Sequence, residues 1–90
     1  MFRNFFREPK PANRAELDET FDELGLNPAE CSATLMDSSG EDDPYNGWTA
    51  EVRGENDEGD SKTFDTCAWS SVDALRNDLR FAGLTDITVE

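Results

Sequence analysis

Histidine is missing from this 90-residue chain, and lysine and cysteine are nearly missing, with two of each. The lack of histidine removes the commonest general base and the commonest transition-metal ligand, so zinc, Ser-His and Cys-His chemistries lose their usual parts. Cys31 and Cys67 are the two cysteines. In a chain expected to reside in the cytoplasm they read as reduced, small hydrophobes rather than as a disulfide framework. No apolar run is long enough for a signal peptide or a membrane span, which is the ground for that cytoplasmic expectation. No glycine-rich phosphate cradle and no nucleophile elbow occurs. A chain of this length folds as one domain, burying about 60–65% of the surface its unfolded form exposes. That leaves little room for an apolar-walled cleft able to separate the pKa values of two carboxylates. The expectation is a protein that is not an enzyme and carries no cofactor.

Acidity is what the chain has in excess. Twenty-one acids against eight bases leave a net charge of -13. The imbalance is uneven along the chain. Arg3, Arg7, Lys10 and Arg14 face only Glu8 in residues 1–14, whereas residues 15–90 hold four bases and twenty acids. Self-repulsion of this size opposes compaction unless salt or a cationic partner screens it.

The opening MFRNFFREPKP sets Phe2, Phe5 and Phe6 at helical spacing before a Pro-Lys-Pro break. Residues 1–12 therefore read as a short basic, aromatic arm, and 13–90 as the acidic domain. The arm is too short and too weakly basic for a membrane anchor. Its rings are expected to pack on the domain or on a second copy, giving a homodimer.

Asn13 resembles a helix cap with Glu16 reaching back, and Leu17, Phe21 and Leu24 follow at i, i+4 and i+7. Gly25 and Pro28 end this helix, predicted over residues 14–24. Its other faces carry Glu16, Asp18, Glu19, Asp22 and Glu23, with no base three or four residues after any of them. Residues 31–36 and 47–54 alternate as half-buried strands, and 62–69 reads as a third. Between the first two lies DSSGEDDPYNG; between the second and third, GENDEGDSK forms a hairpin tip. Ser70 or Ser71 caps a second helix with Val72, Leu75, Leu79 and Ala82 inward and Gly83 at its end. Ile87 and Val89 mark a closing strand. The expected architecture is α+β, in the order α-β-β-β-α-β, a mainly antiparallel sheet with both helices packed on one face.

From Trp48 to Leu79 the chain resembles in outline the three-strand-plus-helix layout of plant AP2-type DNA-binding domains, on positions such as Trp48, Ala50, Glu51 and Thr63-Phe64-Asp65. Phosphate binding requires cations that release counterions. These strands offer Glu51 and Asp65, with Arg53 and Lys62 at their ends, so direct nucleic-acid binding is not expected. Calcium is not expected either. Neither acidic loop meets the EF-hand register, which needs Gly at position six and Glu at twelve.

Three acidic features remain without compensating bases: the first helix, the turn Glu41-Asp42-Asp43, and the tip with Glu55, Asp57, Glu58 and Asp60. Glu16, Glu19 and Glu23 recur about 4.5–6 Å apart along a helix, compatible with the spacing of phosphates on a strand. In size, acidity and these tracts the chain is similar to the small acidic inhibitors of phages and mobile elements, the DNA-mimic and anti-CRISPR proteins. That resemblance implies binding to a basic nucleic-acid-binding protein or nuclease complex of a host defence system, in the host cytoplasm, with the twelve acids Glu16, Asp18, Glu19, Asp22, Glu23, Glu41, Asp42, Asp43, Glu55, Asp57, Glu58 and Asp60 as the contact set. The competing expectation is a salt-adapted cytosolic domain, or another interaction module, whose acidity serves solvation.

Overall fold

The computed structural model describes residues 11–42 and 45–90. The expected contacts of Phe2, Phe5 and Phe6, and the position of Asp43, lie outside the described residues. Elements follow in the order α1 (Arg14–Leu24), a 3-10 turn at Pro28–Glu30, β1 (Ser32–Asp37), β2 (Trp48–Glu55), β3 (Ser61–Asp65), α2 (Val72–Ala82) and β4 (Asp86–Val89). This is the α+β order that the sequence pattern predicts.

Each helix begins and ends on local chemistry. Asn13 accepts from the Glu16 N–H at 2.9 Å, and the Glu16 carboxylate accepts from the Ala12 N–H at 2.9 Å. The reaching carboxylate therefore binds one residue ahead of the cap, satisfying a second donor at the helix entrance. Gly25 takes a left-handed conformation at φ 71° that a side chain would strain, and it closes the last turn. Ser71, rather than Ser70, caps α2 by accepting from the Ala74 N–H at 3.1 Å.

The sheet runs β3-β2-β1-β4. β1 and β2, and β2 and β3, are antiparallel; β4 lies parallel to β1. Register aligns Phe64, Val52, Ala33 and Ile87 in one row and Ala50, Leu35 and Val89 in the next. Alternation sends these rows to one side, where Leu17 and Phe21 of α1 and Leu75 and Leu79 of α2 pack on them. Phe21 meets Phe64 edge to face, with ring centroids 5.4 Å apart. The opposite side of the sheet is polar and presents Ser32, Thr34, Glu51, Arg53, Thr63, Asp65, Asp86 and Thr88.

Three details depart from the sequence pattern. Leu24 is only half-buried, and Leu26 enters the core instead, because the Gly25 turn reverses the chain and points the next side chain inward. β3 ends at Asp65 rather than running to residue 69. The Thr66 hydroxyl oxygen accepts from the Ala50 N–H at 3.0 Å while the Thr66 N–H donates to the Ala50 carbonyl at 3.0 Å, and the next backbone bonds to β2 are those that Trp48 and Trp69 exchange. Four residues, 66–69, thus oppose three, 48–50, as in a bulge. Third, Trp69 is buried and its indole N–H donates to Asp78 at 2.7 Å, tying this segment to α2. Cys31 and Cys67 are both buried, and no disulfide joins them.

Candidate binding surface

The hairpin tip takes its shape from Asn56. Its side-chain oxygen accepts from the N–H groups of Glu58 and Asp60, both at 2.9 Å, while Gly59 turns the chain at φ 84°. This is an Asx-type turn, and it fixes the backbone from which Asp57 and Glu58 project. Asn56 was not among the residues singled out from the sequence. The signal was there in Asn56-Asp-Glu-Gly59, an Asx residue three before a glycine. Asn56 also pairs with Leu26 in an isolated antiparallel bridge just past the end of α1.

That bridge brings two acidic tracts together. A concavity of about 350 Å³ is lined by Asp22, Glu23, Leu24, Gly25, Asn56, Asp57 and Glu58. All four carboxylates are exposed and, among the described residues, no base lines the site. The C-terminal carbonyls of α1 carry partial negative charge, and its last turn holds no cation to offset it. Neither Arg53, which binds Glu51 at 2.7 Å, nor Arg76, which binds Asp73 at 3.2 Å, lines it. Among the described residues no three acids or cysteines are so placed as to hold a metal ion.

The other predicted contact residues are distributed differently. Asp18 and Glu19 are exposed on α1, about one turn before the concavity. Glu16 is engaged by the helix cap. Asp60 closes the hairpin tip. Glu55 belongs to a separate hollow of about 760 Å³ on the open sheet face, where Arg53 and Lys62 accompany Glu30, Glu51 and Asp86. Glu41 and Asp42 sit in the β1–β2 connection, at the opposite end of β2 from the tip. Eight strand residues separate the two ends by about 26 Å at 3.3 Å each. Near that far end Ser39 donates twice to Asp37, holding its carboxyl below the usual range. Among the described residues, Asp22, Glu23, Asp57 and Glu58 are thus gathered at one end, while Glu41 and Asp42 lie at the other.

Fold and site together define a small α+β domain with an electronegative end built from a helix terminus and a hairpin tip. Comparison with protein-family models, with curated proteins and with solved structures found no match. Among the described residues no helix is long and apolar enough to cross a membrane.

Proposed function

We propose that this protein is an acidic binding protein that occupies the basic nucleic-acid-binding surface of a partner, in the manner of a DNA-mimic or anti-CRISPR inhibitor, and performs no chemistry. The supporting observation is the convergence of Asp22, Glu23, Asp57 and Glu58 around one concavity that no base among the described residues lines. Two chain segments more than thirty residues apart meet there, at the negative pole of a helix. Like charges so gathered oppose folding, and a surface rich in Lys and Arg relieves the repulsion when it binds. Opposite charge would also speed association, an effect that ionic strength screens.

The test is capture from a lysate by the immobilised chain, followed by titration of the captured protein against duplex DNA. DNA is expected to compete with the chain for the captured protein. Replacing Asp22, Glu23, Asp57 and Glu58 by their amides should slow association and flatten its salt dependence, while the pair Glu41→Gln and Asp42→Asn has the smaller effect. A captured protein that binds DNA unhindered at saturating chain refutes mimicry. So does unchanged affinity in the fourfold variant from low to physiological salt.

Salt adaptation is the competing role, favoured by the placement of Glu41 and Asp42 at the far end of the sheet and of Asp73 and Asp86 on other surfaces. Acids spread over every side serve solvation as well as they serve recognition.

A further inference from the structure

The connection from β1 to β2 holds a side chain whose chemistry the proposed partner site does not use. Asn46 is exposed there, and it is the one asparagine of the chain that a glycine follows. Its side-chain oxygen accepts from the Gly40 N–H at 3.2 Å. The fold requires glycine at position 47. Its φ of 151° belongs to a region that side chains rarely adopt, and a Cβ there would lie 2.7 Å from the Trp69 carbonyl oxygen and 3.0 Å from Ala68 Cβ. On either side of it the chain is tied down: the Gly47 carbonyl accepts from the Ser38 N–H at 2.6 Å, and Trp48 exchanges backbone bonds with Trp69.

This pairing has a chemical consequence. An asparagine side chain is open to attack by the next backbone nitrogen when the residue carrying that nitrogen has no side chain to block a five-membered ring. The oxygen that gathers negative charge during such an attack is Asn46 Oδ1, and the Gly40 N–H already donates to it, as an oxyanion donor does. The other asparagines among the described residues lack one of these conditions. Pro28 follows Asn27 and has no N–H to become a nucleophile. Asn13 caps α1 with its own side-chain oxygen and is followed by Arg14. Asn77 lies within α2, where helical dihedrals hold the following nitrogen away from the side-chain carbon. Asn56 accepts from two N–H groups, but Asp57 follows it.

We propose that Asn46 is a site of self-modification in the folded chain, where the Gly47 nitrogen closes on Asn46 Cγ and converts the residue to aspartate and isoaspartate. The Gly47 nitrogen gives its proton to hydroxide as it bonds to Cγ. The bond from Cγ to the side-chain nitrogen then breaks, and that nitrogen takes a proton from water and leaves as ammonia, which restores the hydroxide. Water adds to either carbonyl of the resulting cyclic imide. Opening at Cγ gives aspartate; opening at the backbone carbonyl gives isoaspartate, with one more methylene in the main chain. Either product places a new carboxylate in the connection that carries Glu41 and Asp42, and leaves the end formed by Asp22, Glu23, Asp57 and Glu58 as it was.

The test incubates the full-length chain in mildly alkaline buffer, folded and again unfolded in urea, and maps the asparagine peptides by mass spectrometry. In the folded chain Asn46 is expected to convert several-fold faster than Asn13, Asn27, Asn56 or Asn77. Hydroxylamine should trap the imide at position 46, and an isoaspartate methyltransferase should label the product there. Asn46→Gln, whose ring closure needs a larger ring, should abolish both signals. Conversion of Asn46 in urea but not in the folded chain would overturn the proposal, because the fold would then protect the site. Equal rates at all of these asparagines would overturn it too, as would aspartate formed without a trappable imide, which is direct hydrolysis by water.

Discussion

Gly54 in β2 tests the packing between the sheet and the segment that leads into it. Its φ is not positive, so alanine suits the backbone there. Replacing a glycine in such a conformation ordinarily stabilises by about 0.4–1 kcal/mol, because the unfolded chain loses freedom. Here a Cβ would lie 2.5 Å from Cys31 Sγ, 3.4 Å from Cys31 Cβ and 3.5 Å from Leu26 Cδ2. Non-bonded contact needs about 3.5–4.0 Å, so the sulfur would have to retreat by about 1 Å. Cys31 is buried and its thiol donates to the Asn27 carbonyl at 3.3 Å, which leaves it little room. Overpacking of this kind costs about 1–3 kcal/mol and outweighs the entropic gain. Gly54→Ala should therefore lose about 0.5–2 kcal/mol, lowering the melting temperature of a domain this size by about 2–16 °C. In a Cys31→Ala background the obstructing sulfur is gone, and the same substitution should become neutral or stabilising. The assay is a urea melt of the unsubstituted chain, the two single variants and the double variant, with slopes compared to confirm a common unfolded state. A stabilised single variant, or a penalty undiminished in the Cys31→Ala background, would refute the assignment of the cost to this contact.

Leu75 is fully buried between the helices and the sheet, so Leu75→Ala should cost about 2–4 kcal/mol; a loss under about 0.5 kcal/mol in a denaturant melt would place it outside the core. If the acidity is a salt adaptation, circular dichroism should find the chain poorly folded in dilute buffer and rescued by molar salt, whereas a cooperative fold in dilute buffer counts for the binding role. Burial pushes the Cys31 thiol up from its ordinary range, and the carboxylate of Glu30 adds to the shift. The unfolded thiol then ionises before the folded one, so the contribution is complete below the unfolded pKa, about 8.5, and is lost as pH rises toward the folded value. Cys31→Ala should flatten that alkaline decline in stability, and an unchanged decline would assign it to other groups.

The two helices and their limits were legible in the chain itself. Asn13 with Glu16, Gly25, Ser71 and Gly83 act on donors and carbonyls within a few residues, so their chemistry is local and survives without the rest of the fold. The inward sets of Leu17 and Phe21, Leu75 and Leu79, and Ala33, Leu35, Ala50 and Val52 follow from the periods of helix and strand, and they packed as one core. Other features depended on contacts between distant segments. The end of β3 at Asp65 follows from the Thr66 hydroxyl meeting Ala50, and the parallel seat of β4 beside β1 from the course of the chain through α2. Leu26 replaced Leu24 in the core because a left-handed turn redirected it. Charge counting gathered twelve acids into a single set, since sequence records how many charges there are but not their separation. Tertiary structure separated those it describes: the Leu26–Asn56 bridge set Asp22 and Glu23 beside Asp57 and Glu58, while the length of β2 carried Glu41 and Asp42 to the other end. Electrostatic energy depends on distance through space, and only strand register and helix packing establish that distance.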